Sequence, residues 1–128
     1  MIVDSSVLIA VLLREPGHDG LLDRIAQEAV VGVGAATLVE AGIVLVARRG
    51  RLGRTLLARF VADAGISTVA LTDEHWGVAV DAFARYGKGR HAAALNFGDC
   101  LTYSVAHVAQ EPLLCVGDDF PQTDLALA

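Results

Sequence analysis

The feature that most constrains the fold is an alternation of short apolar strand segments with helical segments along the whole chain. Strands are predicted over residues 1–3, 30–34, 66–71 and 113–117, with an edge strand over 125–128, and helical patterns fill most of the sequence between them. Such alternation is typical of a parallel sheet with helices on its faces. The sequence therefore predicts an α/β protein with a three-layer α/β/α fold and a mainly parallel central sheet.

Length and composition indicate a compact protein. We predict one domain over residues 1–128, which would bury about two-thirds of its unfolded surface in a single core. Hydrophobic residues form 54% of the chain and charged residues 20%, so no segment is expected to be disordered. The apolar run from Val7 to Leu13 is too short to span a bilayer. We therefore expect no membrane contact. The two cysteines have no metal-ligand spacing and are expected to be reduced, which favours a cytoplasmic location.

Five acids stand out because each lies among apolar residues at a predicted strand end or helix start. They are Asp4, Glu40, Asp99, Asp118 and Asp119. Strand carboxyl ends and helix amino ends share one rim of a parallel α/β sheet, so these carboxylates are predicted to converge there. The formal net charge is -5, the wrong sign for an obvious nucleic-acid binder. Without these five acids the chain has ten acids and ten Lys plus Arg, so the excess negative charge can belong to this one site.

Three of these acids also have a purely local explanation. Asp4 can cap the helix that follows it. Glu40 stands three residues after Thr37, and Asp99 three residues after Asn96, which in each case matches a capping box. Taken alone, capping is the favoured interpretation of Asp99. The functional interpretation gains weight only because the other acids occupy equivalent positions.

A cluster of carboxylates needs compensating positive charge, because like charges raise one another's pKa and repel. No Lys or Arg is adjacent in sequence to Asp4, Glu40, Asp99 or Asp118. Mg²⁺ or Mn²⁺ suits such an oxygen-only site, and it would activate water and stabilise the charge on a phosphodiester. A cationic, glycine-flanked loop over residues 87–91 contains Lys88 and Arg90, which we predict to neutralise substrate phosphates beside the metal.

Four short segments, in order, resemble a PIN domain. They are Ile-Val-Asp-Ser-Ser at 2–6, Leu-Val-Glu-Ala at 38–41, Asn-Phe-Gly-Asp-Cys at 96–100 and Gly-Asp-Asp-Phe at 117–120. Each segment is short, but the ordered set covers essentially the whole chain. Among PIN domains, the sequence is most similar to the VapC-type toxins of bacterial VapBC toxin–antitoxin modules.

The resemblance implies a Mg²⁺- or Mn²⁺-dependent endoribonuclease that cleaves structured RNA and is inhibited by a cognate VapB-type antitoxin. By position, Asp4, Glu40, Asp99 and Asp118 match the family's catalytic, metal-binding acids, and Ser6 matches a residue that supports the first Asp. Asp118 and Asp119 can exchange roles; in the alternative, Asp119 supports the ligands from behind without contacting the ion. We also expect a homodimer.

The same resemblance implies that the antitoxin's C-terminal segment folds over the toxin. We expect it to insert an Arg among the acids and to cover apolar surface around Leu12 and Leu13.

Other classes fit less well. A phosphoacceptor receiver domain needs a Lys after a late strand, whereas the only Lys here is Lys88, in a loop. A dinucleotide-binding fold would carry a glycine-rich fingerprint that is absent. The remaining alternative is a catalytically inactive PIN-like binding module, against which the complete set of acids argues.

Overall fold

The computed structural model describes all 128 residues. The four strands are β1 (Ile2–Val3), β2 (Gly32–Gly34), β3 (Ser67–Val69) and β4 (Leu113–Leu114). The six helices are α1 (Ser5–Leu12), α2 (His18–Gln27), α3 (Ala35–Arg49), α4 (Arg51–Asp63), α5 (Asp73–Tyr86) and α6 (Phe97–Ala109). A 3₁₀ turn covers Phe120–Gln122.

The central sheet is parallel throughout and has the strand order β3-β2-β1-β4. Ile2 of the inner strand β1 pairs with Gly32 on one side and with Leu113 on the other. Neighbouring strand residues belong to different core clusters: Val3 packs with α1 and α3, whereas Ile2 packs with α5 and α6. Because helices cover the two faces of a parallel sheet, the predicted three-layer α/β/α fold is confirmed.

The strands are shorter than their apolar runs suggested. The paired residues are 2–3, 32–34, 67–69 and 113–114. Residues 125–128 contribute a single bridge between Leu113 and Leu127 instead of an edge strand. The chain leaves the sheet soon after Leu114, because the Val116 N–H bonds to the Ser6 side chain, not to a neighbouring strand. The segment carrying Asp118 and Asp119 is therefore a turn beyond the sheet.

Helix starts place two of the candidate acids, Asp4 at α1 and Asp99 at α6. Asn96 caps α6 through the predicted capping box, with Asn96 Oδ1 accepting from Asp99 N at 2.9 Å and Asp99 Oδ2 accepting from Asn96 N at 2.9 Å. The capping box expected for Thr37 and Glu40 is wrong. Helix α3 already begins at Ala35, a strong helix former, so Glu40 lies in its second turn.

Two further expectations bear on surfaces. Leu12 and Leu13 are only partly exposed and pack against the first core cluster, so they do not form the open apolar surface expected of them. None of the helices is long and apolar enough to cross a membrane.

Candidate functional site

Asp4 lies at the carboxyl end of β1 and is only 5% exposed. Its Oδ2 accepts hydrogen bonds from Ser6 N at 3.0 Å and from Ser6 Oγ at 2.6 Å, which caps α1. Its Oδ1 is buried and has no hydrogen-bond partner. Buried carboxylate oxygens are costly when unpaired, so this atom is the one place in the site that calls for a ligand.

The Ser6 hydroxyl connects two strand ends. It donates to Asp4 Oδ2 and accepts a 3.0 Å hydrogen bond from Val116 N, in the segment that leaves β4. The residue predicted to support Asp4 therefore also fixes the start of the turn that carries Asp118 and Asp119.

Glu40 projects from the second turn of α3 against the first turn of α6. A Cβ built on Gly98 would lie 2.5 Å from Glu40 Oε2 and 2.9 Å from Oε1, so the carboxylate occupies the space of the missing side chain. Burial raises the pKa of Glu40, and the charges of Asp4 and Asp99 raise it further, whereas a hydrogen bond with Ser5 lowers it. Ser5 has no sequence signal that separates it from an ordinary helix-start serine.

Asp99 is the third residue of α6 and combines capping with the site. Burial raises its pKa most, the hydrogen bond to the Asn96 backbone opposes this, and the charges of Asp4 and Asp119 raise the pKa further. The predicted capping role is thus confirmed. It does not remove Asp99 from the acidic cluster, because only its Oδ2 is used in the cap.

Asp118 and Asp119 differ in their surroundings. The charge of Asp119 acts on Asp99, and it also acts on Cys115, whose pKa is raised to about 11 by burial first and then by Asp4 and Asp119. Asp118 is exposed, and its main-chain carbonyl accepts a 2.9 Å hydrogen bond from Gln122 Nε2. The structure therefore brings Asp119 into electrostatic contact with the other acids, and Asp118 as the fourth ligand stays a prediction.

The cluster has no cationic partner in the protein. None of the candidate acids takes part in a salt bridge, and the charges that shift the pKa values of Glu40 and Asp99 are all carboxylates. As the side chains stand, no three His, Cys, Asp or Glu residues form a group that could hold a metal ion. The oxygen-only donors, the uncompensated charge and the free Asp4 Oδ1 nevertheless fit a hard divalent cation.

Comparison with known proteins identifies the family of this fold. The model of the PIN domain family matches residues 1–125. The chain belongs to the PIN-domain family. This PIN domain is 48% identical over 126 residues to Ribonuclease VapC36 of Mycobacterium tuberculosis, covering 98% of the chain and 91% of the relative. It is 38% identical to Ribonuclease VapC of Mycolicibacterium smegmatis, covering 98% of each protein.

Solved structures support the same PIN-domain fold. VapC20 of Mycobacterium tuberculosis, described as a toxin that cleaves the sarcin-ricin loop, superposes with a TM-score of 0.80 at 17% identity, covering 99% of this chain and 97% of that one. A structure of VapBC2 from Rickettsia felis, bound to a promoter DNA fragment, gives a TM-score of 0.78 at 13% identity, covering 99% and 96%. At these identities the likeness concerns the fold.

The two cations predicted to contact RNA lie on the loop between α5 and α6 of this PIN domain. Lys88 and Arg90 are both exposed. The Lys88 N–H bonds to Leu95 O, and the Arg90 guanidinium lies 5.6 Å from the centre of the Phe83 ring. The Lys88–Leu95 hydrogen bond thus joins the two ends of the loop, and both positive charges are available to solvent.

Proposed function

We propose that this PIN domain is a Mg²⁺- or Mn²⁺-dependent endoribonuclease toxin of a VapBC-type module. The observation that carries the proposal is the set of carboxylates Asp4, Glu40, Asp99 and Asp119. They lie close enough to raise the pKa values of Glu40 and Asp99, without any Lys or Arg to compensate them. Relatives with 48% and 38% identity over nearly the whole chain bear the name ribonuclease, which supports RNA as the substrate.

Asp4, Glu40 and Asp99, with Asp119 or Asp118, would hold the ion. Bound there, it would supply an activated water and stabilise the charge that develops on the scissile phosphate. Ser6 fixes Oδ2 of Asp4, which leaves Oδ1 as the oxygen available to a ligand. The Asn96 backbone fixes Oδ2 of Asp99 in the same way. Each of these aspartates therefore presents one restrained and one free oxygen, so little side-chain entropy is lost on binding.

RNA would approach a site that is negatively charged until it is loaded with metal. We assign Lys88 and Arg90 to the RNA phosphates, because they are solvent-exposed and lie on the loop that leads into the helix that carries Asp99. The two free cysteines support our proposal that the protein acts in the cytoplasm.

The proposed VapB-type antitoxin would block the acids with a cationic side chain, most simply an Arg, which can bridge carboxylates bidentately. The apolar part of its docking surface lies between α3 and α4, in a groove of about 780 Å³ whose lining includes Leu38, Ile43 and Leu57, with Arg54 at its edge. We assign the apolar contact of the antitoxin to this groove and not to the surface around Leu12 and Leu13, because those two side chains are partly buried in the core.

We also propose that the protein is a homodimer. Phe97 is 81% exposed and stands between two apolar grooves, of about 660 and 300 Å³, which both include Phe97 and Leu101 in their lining. A projecting ring and neighbouring grooves on one face are self-complementary, as a two-fold interface requires. Light scattering on Phe97→Asp tests this. A wild-type protein that is monomeric at micromolar concentration would reject the dimer.

The decisive experiment for the enzyme is cleavage of an RNA pool by purified protein with EDTA, Mg²⁺ or Mn²⁺. We expect cleavage only with metal, and its loss in Asp99→Asn, which retains a capping side chain and should fold. Asp81→Asn, at an exposed acid of α5, is the matched control. An Asp99→Asn variant that folds and cleaves at the wild-type rate would refute the site. A wild-type protein that binds RNA or antitoxin but does not cleave RNA with either Mg²⁺ or Mn²⁺ would be the inactive binding module.

A further inference from the structure

A single buried side-chain hydrogen bond joins the two helices that carry Glu40 and Asp99. Thr37 Oγ1 of α3 and Thr102 Oγ1 of α6 lie 2.9 Å apart, although 65 residues separate them in sequence. Both threonines are almost fully buried, with 2% and 0% exposure. Neither belongs to the acidic cluster.

The pair lies one helical turn from the acids. Thr37 is three residues before Glu40, and Thr102 is three residues after Asp99, so each threonine shares a helix face with its acid. A second close approach lies between Glu40 and Gly98. From residue 37 to residue 40 of α3, the facing residue of α6 changes from 102 to 98, so the two helices run antiparallel here. Together the two contacts set the position of one helix along the other.

The surroundings leave the two hydroxyls little freedom. A Cβ built on Gly34, at the end of β2, would lie 3.1 Å from both Thr37 Oγ1 and Val105 Cγ2. The strand end and α6 therefore close around the pair. A helical threonine normally bonds to a carbonyl of its own helix. A bond across two helices requires both a distance and an orientation, whereas an apolar contact at the same place would tolerate sliding.

We propose that Thr37 and Thr102 are positioning residues that hold α3 and α6 at the offset which lets Glu40 and Asp99 act on one ion. The proposal rests on the metal-dependent function proposed above and assigns it two residues outside the acidic cluster. It predicts that metal affinity depends on a hydrogen bond in which none of the proposed metal-binding residues takes part.

The test is the double variant Thr37→Val/Thr102→Val. Replacing both partners by side chains of the same shape leaves no unpaired buried hydroxyl, so folding should be nearly unaffected. We expect Mn²⁺ affinity, measured by calorimetry on metal-free protein, to weaken at least fivefold. The Mg²⁺ concentration for half-maximal RNA cleavage should rise by a similar factor. Thr37→Ser/Thr102→Ser, which keeps both hydroxyls, should bind Mn²⁺ within twofold of wild type.

Ser104→Ala is the matched control, because the buried Ser104 hydroxyl bonds to Leu101 O within α6 and joins no second helix. It should bind Mn²⁺ as wild type does. If the double valine variant does not fold, Thr102→Val alone takes its place with the same expected loss. A folded valine variant with wild-type Mn²⁺ affinity would overturn the positioning role alone. A wild-type protein that binds no Mn²⁺ would overturn the metal-dependent function and this role with it.

Discussion

The Ser6 hydroxyl donates a 2.6 Å hydrogen bond to Oδ2 of Asp4, the shortest polar contact within the acidic cluster. Ser6 Oγ also accepts a 3.0 Å hydrogen bond from Val116 N, so the Ser6 side chain restrains both a candidate ligand and the turn that leads to Asp118 and Asp119. Partners that orient metal ligands affect activity without touching the ion.

Ser6→Ala should therefore impair catalysis more than folding. We expect a loss of about 10–100-fold in metal affinity or activity, with a destabilisation of about 1–2 kcal/mol from the lost hydrogen bonds. Ser67→Ala, at an exposed position of β3, is the control. Calorimetric Mn²⁺ binding and thermal unfolding separate the two effects. A Ser6→Ala variant with wild-type metal affinity would show that Asp4 does not need its hydroxyl partner.

Glu40→Gln should stabilise the metal-free protein at neutral pH. Burial and the charges of Asp4 and Asp99 raise the pKa of Glu40 in the folded state. The stability that the protonated Glu40 carboxyl contributes is therefore fully present below the unfolded pKa of about 4.3 and is lost as pH rises through the folded pKa. Removing the charge should raise the melting temperature by a few degrees at pH 7, with little effect near pH 4.

Thermal unfolding in EDTA measures this effect, and Glu28→Gln, at an exposed position after α2, is the control. Added Mg²⁺ should raise the melting temperature of the wild type more than that of Glu40→Gln. Equal melting temperatures for the two proteins at pH 7 in EDTA would mean that the carboxylates do not repel one another.

Replacing Lys88 and Arg90 by Ala should weaken RNA binding and flatten its salt dependence. Each lost phosphate contact on a single strand lowers the slope of log affinity against log salt by about 0.7. The double variant should therefore lose a slope of about 1.4. Arg48→Ala/Arg49→Ala removes the same charge from the exposed end of α3 and should leave the slope intact. Equal slopes in wild type and the Lys88 and Arg90 variant would assign both residues to the solvated surface.

Antitoxin binding should compete with metal. If an Arg enters among Asp4, Glu40 and Asp99, antitoxin affinity will fall as Mg²⁺ rises at fixed ionic strength, because both ligands use the same carboxylates. Titration calorimetry at two Mg²⁺ concentrations measures this effect. Affinity that is independent of Mg²⁺, combined with full inhibition by an antitoxin lacking its C-terminal Arg and Lys residues, would show that inhibition acts from another surface.

Local signals in the sequence predicted the parts of the site that local interactions build. Asn96 and Asp99 form their capping box within one turn, so neighbouring residues suffice to predict it. Asp4 is similar, because its cap on α1 involves only Ser6. The parallel sheet also followed from the order of apolar and helical segments.

Longer-range contacts decided what the sequence could not predict. Thr37 does not cap α3, since its hydroxyl is bonded to Thr102 of another helix. The choice between Asp118 and Asp119 depends on the turn after β4, which Gly117 shapes with a φ of 101°. The length of β4 depended on where the chain leaves the sheet, and there the Ser6 side chain of α1 takes the Val116 N–H away from strand pairing.

The close fit of Glu40 against Gly98 also bears on how mutation would inactivate a toxin of the proposed kind. A single methyl group at position 98 would occupy the space of the Glu40 carboxylate and push that flexible side chain away, while alanine favours the helix by about 1 kcal/mol over glycine. The result would be a well-folded protein with an intact outer surface, still able to capture its antitoxin but unable to damage RNA. One base change in the Gly98 codon could thus turn a growth inhibitor into a decoy that frees active copies from their antidote.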